Sequence, residues 1–438
     1  MNKENELKLN LDSLCVYKWI FSERVGEKFK LLVDNLCLDI SLGECIRSYN
    51  EFLYDLLDYS STLFFKEYVV DEILLNINPL NKAIERNEKL DNSLIEGLKS
   101  ELKYLCDIAN INSEYIKDII LNKFNLNECD KERVNSLISW GFEKEYVEKD
   151  DTDVEKLKKL LLTLSDWSEC VDKIIEFHKK NGTGRCAKYR AFVWERFDNE
   201  DEGKLREIIN PDPIRLSQLV GYEDQKEEIK INTLHFLNGA PANNLLLYGA
   251  RGTGKSSTVK AILNEYYEEG LRLIEVDKEQ LKDFTKIIRI LKDKKQKFII
   301  FVDDLVFDEN ESSYSALKTI LEGRVENRPK NILIYATTNR RHLVQEKFSD
   351  RDEVNSKDTI EEKLSLADRF GITISFFTPN QKEFLNIVDG IVEDRGLKIE
   401  KEYLHKEALK WEKWHNGRSP RSATQFIDWL EGKIMLNK

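Results

Sequence analysis

Proline is scarce in this chain, with seven residues in 438, and none falls between Pro79 and Pro211. A stretch of that length without a helix breaker can carry long helices. Glycine is sparse too, at 19 residues, while 41% of the chain is hydrophobic and 34% charged. That balance excludes a disordered chain and points to a soluble, helix-rich globular protein. No internal repeat or low-complexity tract is present. No apolar run reaches 18 residues, which argues against a membrane-spanning helix. The opening MNKENELKLN lacks the profile of a secretory leader, so a cytoplasmic location is expected. Seven cysteines all lie within the first 186 residues, odd in number and without a C-x-x-C pair. Buried, reduced thiols are therefore expected, and no His/Cys cluster has zinc spacing. Positive charge is in deficit: 68 basic residues against 80 acidic ones leave a net charge of −12. That argues against a protein that coats nucleic acid non-specifically, although it leaves a local basic patch open.

The length exceeds the usual size of a single core, so two or three domains are expected. Residues 1–178 read as an all-helical domain. Leu94, Leu98, Leu102 and Leu105 form one apolar stripe at helical spacing, and Val154, Leu157, Leu160, Leu164, Val171 and Ile174 form another. Such stripes are what packed helices need, and nothing here has the look of a catalytic constellation. The character changes at KKNGTGRCAKYRAFVWE (179–195), where glycines precede a β-prone aromatic stretch. From there short apolar runs alternate with helical segments: NLLLY (244–248), LRLIEV (271–276), FIIFVD (298–303), NILIYA (331–336) and ITISF (372–376). Runs this apolar, separated by helices, predict parallel strands covered on both faces and hence an α/β core over 179–378. From Thr378, which can cap a helix with Pro379 in its first turn and Gln381 completing a capping box, a helical lid is expected over 379–438. Breaks are expected in it near Gly396 and Gly417.

Directly after NLLLY comes GARGTGKSS, spanning Gly249, Ala250, Arg251, Gly252, Thr253, Gly254, Lys255, Ser256 and Ser257. It fits G-x-x-x-x-G-K-[ST], with the strand before it and the helix after it that the motif requires. Glycines let the backbone turn so that its amides face a phosphate, and the helix presents its positive end to the same anion. Lys255 would neutralise the β- and γ-phosphates and the Ser256 hydroxyl would ligate Mg2+. About fifty residues later the strand FIIFV ends on Asp303 and Asp304, at the edge where parallel sheets bind ligands. Asp303 would act on the metal through a water, and Asp304 would orient or deprotonate an attacking water. The bland alternative is that both aspartates only solvate a strand end.

The order of phosphate loop, Walker B strand, ATTN (336–339), LADRFG (366–371) and GRSPRSA (417–423) resembles that of AAA+ ATPases. More narrowly, LVGYEDQK (219–226), NNLLLYGARGTGKSS, YSALKTILEG (314–323) and IYATTNRRHL (334–343) resemble a bacterial AAA+ family known only as a domain of unknown function. The resemblance covers roughly residues 180–438. It implies ATP and Mg2+ as cofactors, and roles for further residues. Asn339 resembles sensor 1, which helps place the lytic water. Arg369 is similar to the arginine finger that reaches a neighbouring subunit's ATP, which would require a homo-oligomer. Arg421 resembles sensor 2, and Leu219 to Tyr222, including Gly221, match the segment that packs around adenine. Both arginines could instead sit in structural ion pairs. Most AAA+ families carry glutamate where Asp304 stands, and the Asp-Asp form is similar to that of replication initiators and helicase loaders. Arg340, Arg341 and His342 open a charged loop that either touches phosphate or nucleic acid or is simply solvated.

Two functions of different class follow. One is a slow, partner-stimulated Mg2+-dependent ATPase that remodels an unidentified protein or nucleoprotein partner. The other is a nucleotide-gated scaffold or switch with little turnover, recruiting its partner through the helical domain. A small-molecule kinase on the same scaffold is disfavoured, because sensor-like residues and a helical lid have no role there.

Overall fold

The computed structural model describes residues 2–22, 24–60, 63–141, 152–196, 203–306, 317–318, 321, 329–340, 369–415 and 417–436. By internal contacts the chain divides into two units, Met1–Lys188 and Tyr189–Lys438.

Among its described residues the first unit is helical throughout: α1 (Lys3–Asp12), α2 (Arg24–Cys37), α3 (Leu42–Tyr59), α4 (Phe65–Leu75), α5 (Pro79–Glu85), α6 (Asn92–Ala109), α7 (Ser113–Lys123), α8 (Glu128–Asn135), α9 (Asp153–Thr163) and α10 (Val171–Asn181). Side-chain caps start many of them. Ser41 and Glu44 form a reciprocal capping box on α3, and Asn78, Asp91, Asn112, Asn127 and Thr152 each accept a backbone N–H at the start of a helix. The core is built from aromatic contacts such as Phe29 with Phe65 and Phe52 with Trp140, with ring centroids 4.5 and 5.0 Å apart. The stripe from Leu98 to Leu105 is buried on α6 as its spacing implies. The stripe from Val154 to Ile174 is not one helix, because α9 stops at Thr163, Leu164 adopts an extended backbone, and α10 begins anew at Val171.

The second unit holds a seven-stranded sheet of β1 (Ala191–Arg196), β2 (Gly203–Glu207), β3 (Asn244–Gly249), β4 (Leu271–Glu275), β5 (Lys297–Val302), β6 (Ile332–Thr338) and β7 (Gly371–Phe376), in the order β2-β1-β4-β5-β6-β3-β7. The five expected strands are all present and mutually parallel. They read as continuous apolar runs because both faces are covered: every residue of β6 is buried. The sheet is nevertheless mixed rather than wholly parallel, since β1 pairs with β4 in parallel and then turns antiparallel into β2. β2 escapes a sequence reading because GKLRE is an exposed edge strand with no buried residue. Gly203 is required there, since a Cβ would stand 2.3 Å from the Trp194 ring.

Helices α11 (Glu223–Leu237), α12 (Lys255–Tyr266) and α13 (Phe284–Leu291) flank the sheet. Then α14 (Gln381–Asp394), α15 (Lys401–Trp414) and α16 (Pro420–Leu436) form a separate apolar cluster around Phe384, Leu404, Phe426 and Leu430. The cap of α14 is Asn380 with Glu383 as its reciprocal partner, two residues later than the Thr378 reading. Asn380 wins because its own carboxamide reaches the Glu383 N–H at 3.0 Å. Among the described residues no helix is long and apolar enough to cross a membrane.

Candidate functional site

Strand β3 lies between β6 and β7, and its C-terminal end opens where the connections diverge, the chain after β3 leading past β6 to β4 and the chain after β6 leading past β3 to β7. The phosphate loop leaves from that end. Gly249 has φ of +144° and a Cβ there would meet the Phe376 carbonyl oxygen at 2.0 Å, so only glycine lets the loop start against β7. Ala250 follows by donating its N–H to the same carbonyl, at 3.1 Å. These two residues anchor the loop to the sheet, whereas Arg251, Gly252, Thr253, Gly254, Lys255, Ser256 and Ser257 line a cleft of about 880 Å³. Gly254, at φ of +91°, turns the chain into α12, which leaves the first amides of that helix facing the cleft.

Lys255 is buried and its ammonium is held by three oxygens. It donates to the carbonyls of Gly249 (2.9 Å) and Ala250 (2.8 Å) and to Asn339 Oδ1 (3.0 Å). Burial holds its pKa below the ordinary lysine value, with the charges of Asp303 and Asp304 acting in the opposite sense. Its partners on the loop are neutral carbonyls, so a phosphate oxygen carrying formal charge would be the stronger acceptor.

β5 delivers the two aspartates next to this lysine, and β6 supplies what holds them. Asp303 Oδ1 accepts from Ser256 Oγ at 2.6 Å, from the Asp304 N–H at 3.1 Å, and from the Thr337 hydroxyl. Asp304 has φ of +49°, a left-handed conformation uncommon for a residue with a Cβ. It is fixed there by its N–H donating to Thr337 Oγ1 (3.0 Å) and by the Leu305 N–H donating to the Thr337 carbonyl (2.7 Å). The turn swings its carboxylate out of strand register, where Asn339 Nδ2 donates to Oδ1 at 2.6 Å. The Asn339 carboxamide thus bridges the phosphate-loop lysine and the second aspartate, one end on each. Thr337 was not singled out by sequence reading, although it stands inside the quoted ATTN. Its role depends on β5 and β6 lying side by side, with Val302 opposite Ala336.

The far wall of the cleft comes from α14 and α16. Arg421 lines it, and its backbone N–H donates to the Gly252 carbonyl at 3.1 Å. Gly252 is tightly bordered, since a Cβ would approach Arg421 Cβ and Ser419 Oγ to 3.1 Å. Gln218, Asp394, Arg395 and Gln425 also face the cleft and were absent from the sequence reading. A smaller adjoining recess of about 60 Å³ is bounded by Leu219, Val220, Gly221, Tyr222, Phe376, Ile387 and Ile391. Tyr222 caps α11 from a left-handed conformation and donates its hydroxyl to the Phe377 carbonyl at 2.6 Å. Burial pushes its phenol up to about 12. This recess is mostly apolar, which suits an aromatic base, with Lys226, Thr253, Thr258 and Thr424 also on its lining.

Arg369 does not line the cleft. It stands two residues before β7, at the edge where Gly371 pairs with Asn244, and the phosphate loop leaves the opposite edge, where Phe376 pairs with Gly249. Five residue steps of strand, about 17 Å, separate the two ends. It therefore cannot serve the phosphate site of its own chain from this position. Arg340 is described, but Arg341, His342 and most of YSALKTILEG lie outside the described residues.

Residues 187–434 match the model of a family described as a protein of unknown function, DUF815. The chain is also similar to a replication factor C large subunit of Pyrococcus horikoshii, at 28% identity over 177 residues, which is 37% of this chain and 36% of that protein. A probable spastin homolog of Brugia malayi is 25% identical over 191 residues, 38% of this chain and 42% of that one. The chain therefore spans well under half the length of these relatives. Among solved structures, a RuvB Holliday junction branch migration motor of Thermotoga maritima aligns with a TM-score of 0.33 and 18% identity, over 48% of this chain and 62% of that one.

Proposed function

The chain belongs to the DUF815 family, with an AAA+ core in its second unit, and we propose that it binds ATP with Mg2+ and hydrolyses it slowly to remodel a protein or nucleoprotein partner. One observation carries this reading: the linked set in which Ser256 meets Asp303 while Asn339 joins Lys255 to Asp304. A structural turn needs none of these contacts, whereas phosphoryl transfer needs all five groups within reach of one another. The site also fits the nucleotide in shape. A cleft with exposed loop amides leads into an apolar recess, and the lysine is cationic, buried and held by replaceable acceptors.

In this reading Lys255 exchanges the carbonyls of Gly249 and Ala250 for phosphate oxygens, and Ser256 and Asp303 turn from each other to hold the metal. Bound Mg2+ would supply neutralisation of charge across the β- and γ-phosphates. Asp304 then orients and deprotonates the attacking water, with Asn339 holding that water as well as the carboxylate. Arg421 adds a fork of donors from the lid side. Arg369 acts on a neighbouring copy of the chain, which makes assembly a condition of full turnover. Residues 1–178 would serve as the recruiting domain, 179–378 as the engine and 379–438 as the lid. Slow turnover is expected because aspartate is one methylene shorter than the usual glutamate and Asn339 already occupies one of its oxygens. That clasp equally favours the second reading, a nucleotide-gated scaffold.

Phosphate release at steady state, with ATP affinity measured alongside, separates the two. The Asp304→Asn variant should bind ATP as tightly as the wild type and release phosphate on the order of a hundredfold more slowly. Equal background release from both proteins would remove hydrolysis from the proposal and leave the scaffold. Light scattering should show a rise in mass on adding ATP, and a monomer under both conditions would count against Arg369 acting in trans.

A further inference from the structure

Helix α14 carries one face from the apolar recess into the cleft. Ile387 and Ile391, one turn apart, border the recess, and Asp394, a further turn on, faces the larger cleft. The rise from Ile391 to Asp394 is about 4.5 Å, close to the step from a nucleoside base to its sugar. The helix is pressed onto the 219–222 segment rather than merely near it. A Cβ on Gly390 would stand 2.6 Å from Val220 Cγ1, and one on Gly221 would touch Ile387 at 3.4 Å. The position of Asp394 relative to the recess is thereby set by close packing.

Asp394 is also chemically available. Among the described residues its carboxylate makes no hydrogen bond or ion pair. The adjacent cation does not neutralise it, because Arg395 pairs through Nη2 with Asp428 (2.8 Å) and through Nη1 with Glu431 (3.0 Å). An unneutralised carboxylate beside a triphosphate site would repel its ligand unless it met a donor. The part of a nucleotide that lies between base and phosphates and offers only hydroxyl donors is the ribose.

We propose that Asp394 accepts hydrogen bonds from the ribose hydroxyls of the bound nucleotide and makes the site selective for ribonucleotides over 2′-deoxyribonucleotides. This rests on the ATP reading of the cleft and goes beyond it by assigning the sugar. A hydrogen bond to a charged acceptor is stronger than one between neutral groups, so loss of the 2′-hydroxyl donor should lower affinity about tenfold or more.

The test is calorimetric titration of the full chain with Mg2+ and either ATP or 2′-deoxy-ATP. Wild type should favour ATP about tenfold or more; Asp394→Ala should bring the ratio close to one, and Asp394→Asn, which keeps an acceptor without the charge, should fall between. Asp394 is exposed at the end of its helix, and an unchanged circular dichroism spectrum would verify the fold of each variant. Equal affinities in the wild type would overturn the proposal while leaving ATP binding intact, as would a preference that survives in Asp394→Ala. Binding of neither nucleotide by the wild type would overturn the ATP reading and this proposal together.

Discussion

In the helical unit Lys158 is almost wholly buried, and its ammonium meets Glu67 Oε1 at 2.8 Å and Asp71 Oδ1 at 2.7 Å, both also shielded. In the α/β unit Lys255 is equally sunk, but two of its partners are carbonyls of the loop that carries it and the third is a carboxamide. The first lysine has its charge matched by carboxylates on another helix, and burial, which alone would depress its pKa, is outweighed so that it stands above the ordinary value. The second is left short of counter-charge, and its pKa falls. One arrangement ties two helices together; the other, in the proposed function, holds a cation ready for an anion that is not part of the chain. Buried charge is therefore evidence of function only when its partners are weaker than those a ligand could supply.

The sharpest way to break the comparison is to remove each lysine. Lys158→Ala leaves Glu67 and Asp71 facing each other beneath the surface, and the loss should be about 3–5 kcal/mol of stability in the helical unit. Hydrogen exchange of α4 and α9 amides, read against β3 and β5 amides in the same sample, checks this. Acceleration in the helical unit alone is expected. Lys255→Ala should do the reverse, leaving exchange throughout nearly unchanged and weakening ATP on the order of a hundredfold, about 2.7 kcal/mol. ATP affinity unaltered in Lys255→Ala would undo the assignment of the phosphate loop.

How much of this was legible in the sequence follows the same division. The five parallel strands announced themselves because burial on both faces forces unbroken apolar runs, and the phosphate loop because its glycines and lysine are adjacent in sequence. Asp303 and Asp304 were legible as a strand end. What could not be read were contacts made by convergence: Thr337 beneath both aspartates, Asn339 between Lys255 and Asp304, and Asp394 reaching the cleft from the lid. The first two depend on which strand lies beside which, and β5 and β6 are neighbours through a register that local pattern does not encode; the third depends on how α14 packs against the 219–222 segment. The antiparallel edge strand β2 was illegible for a different reason, since a strand with no buried residue and a single apolar side chain, Leu205, shows no hydrophobic period. The break between α9 and α10 was hidden too, because no glycine or proline marks it and the apolar spacing continues across it.

A smaller and subtler contrast concerns pH. His178, on α10, is buried, and its Nδ1–H donates to the Gly182 carbonyl at 3.3 Å, so the neutral ring is the one the interior accepts. Burial lowers its pKa from 6.5 to about 4. Above pH 6.5 the ring is neutral in both the folded and the unfolded chain and adds no pH dependence. Below 6.5 the unfolded chain takes up the proton and the folded one does not, so stability falls by about 1.4 kcal/mol per pH unit until pH 4. Between pH 6.5 and 5 the helical unit should lose about 2 kcal/mol from this residue. Carboxylates elsewhere titrate over the same range, so the informative quantity is the difference from His178→Gln, which cannot take up the proton. Exchange of α10 amides in the wild type should accelerate relative to that variant as pH falls, once intrinsic rates are corrected, while β3 and β5 amides keep a constant ratio. Parallel pH profiles for α10 in the two proteins would mean that the ring is already protonated in the folded state, and that burial in the helical unit is less strict than Lys158 implies.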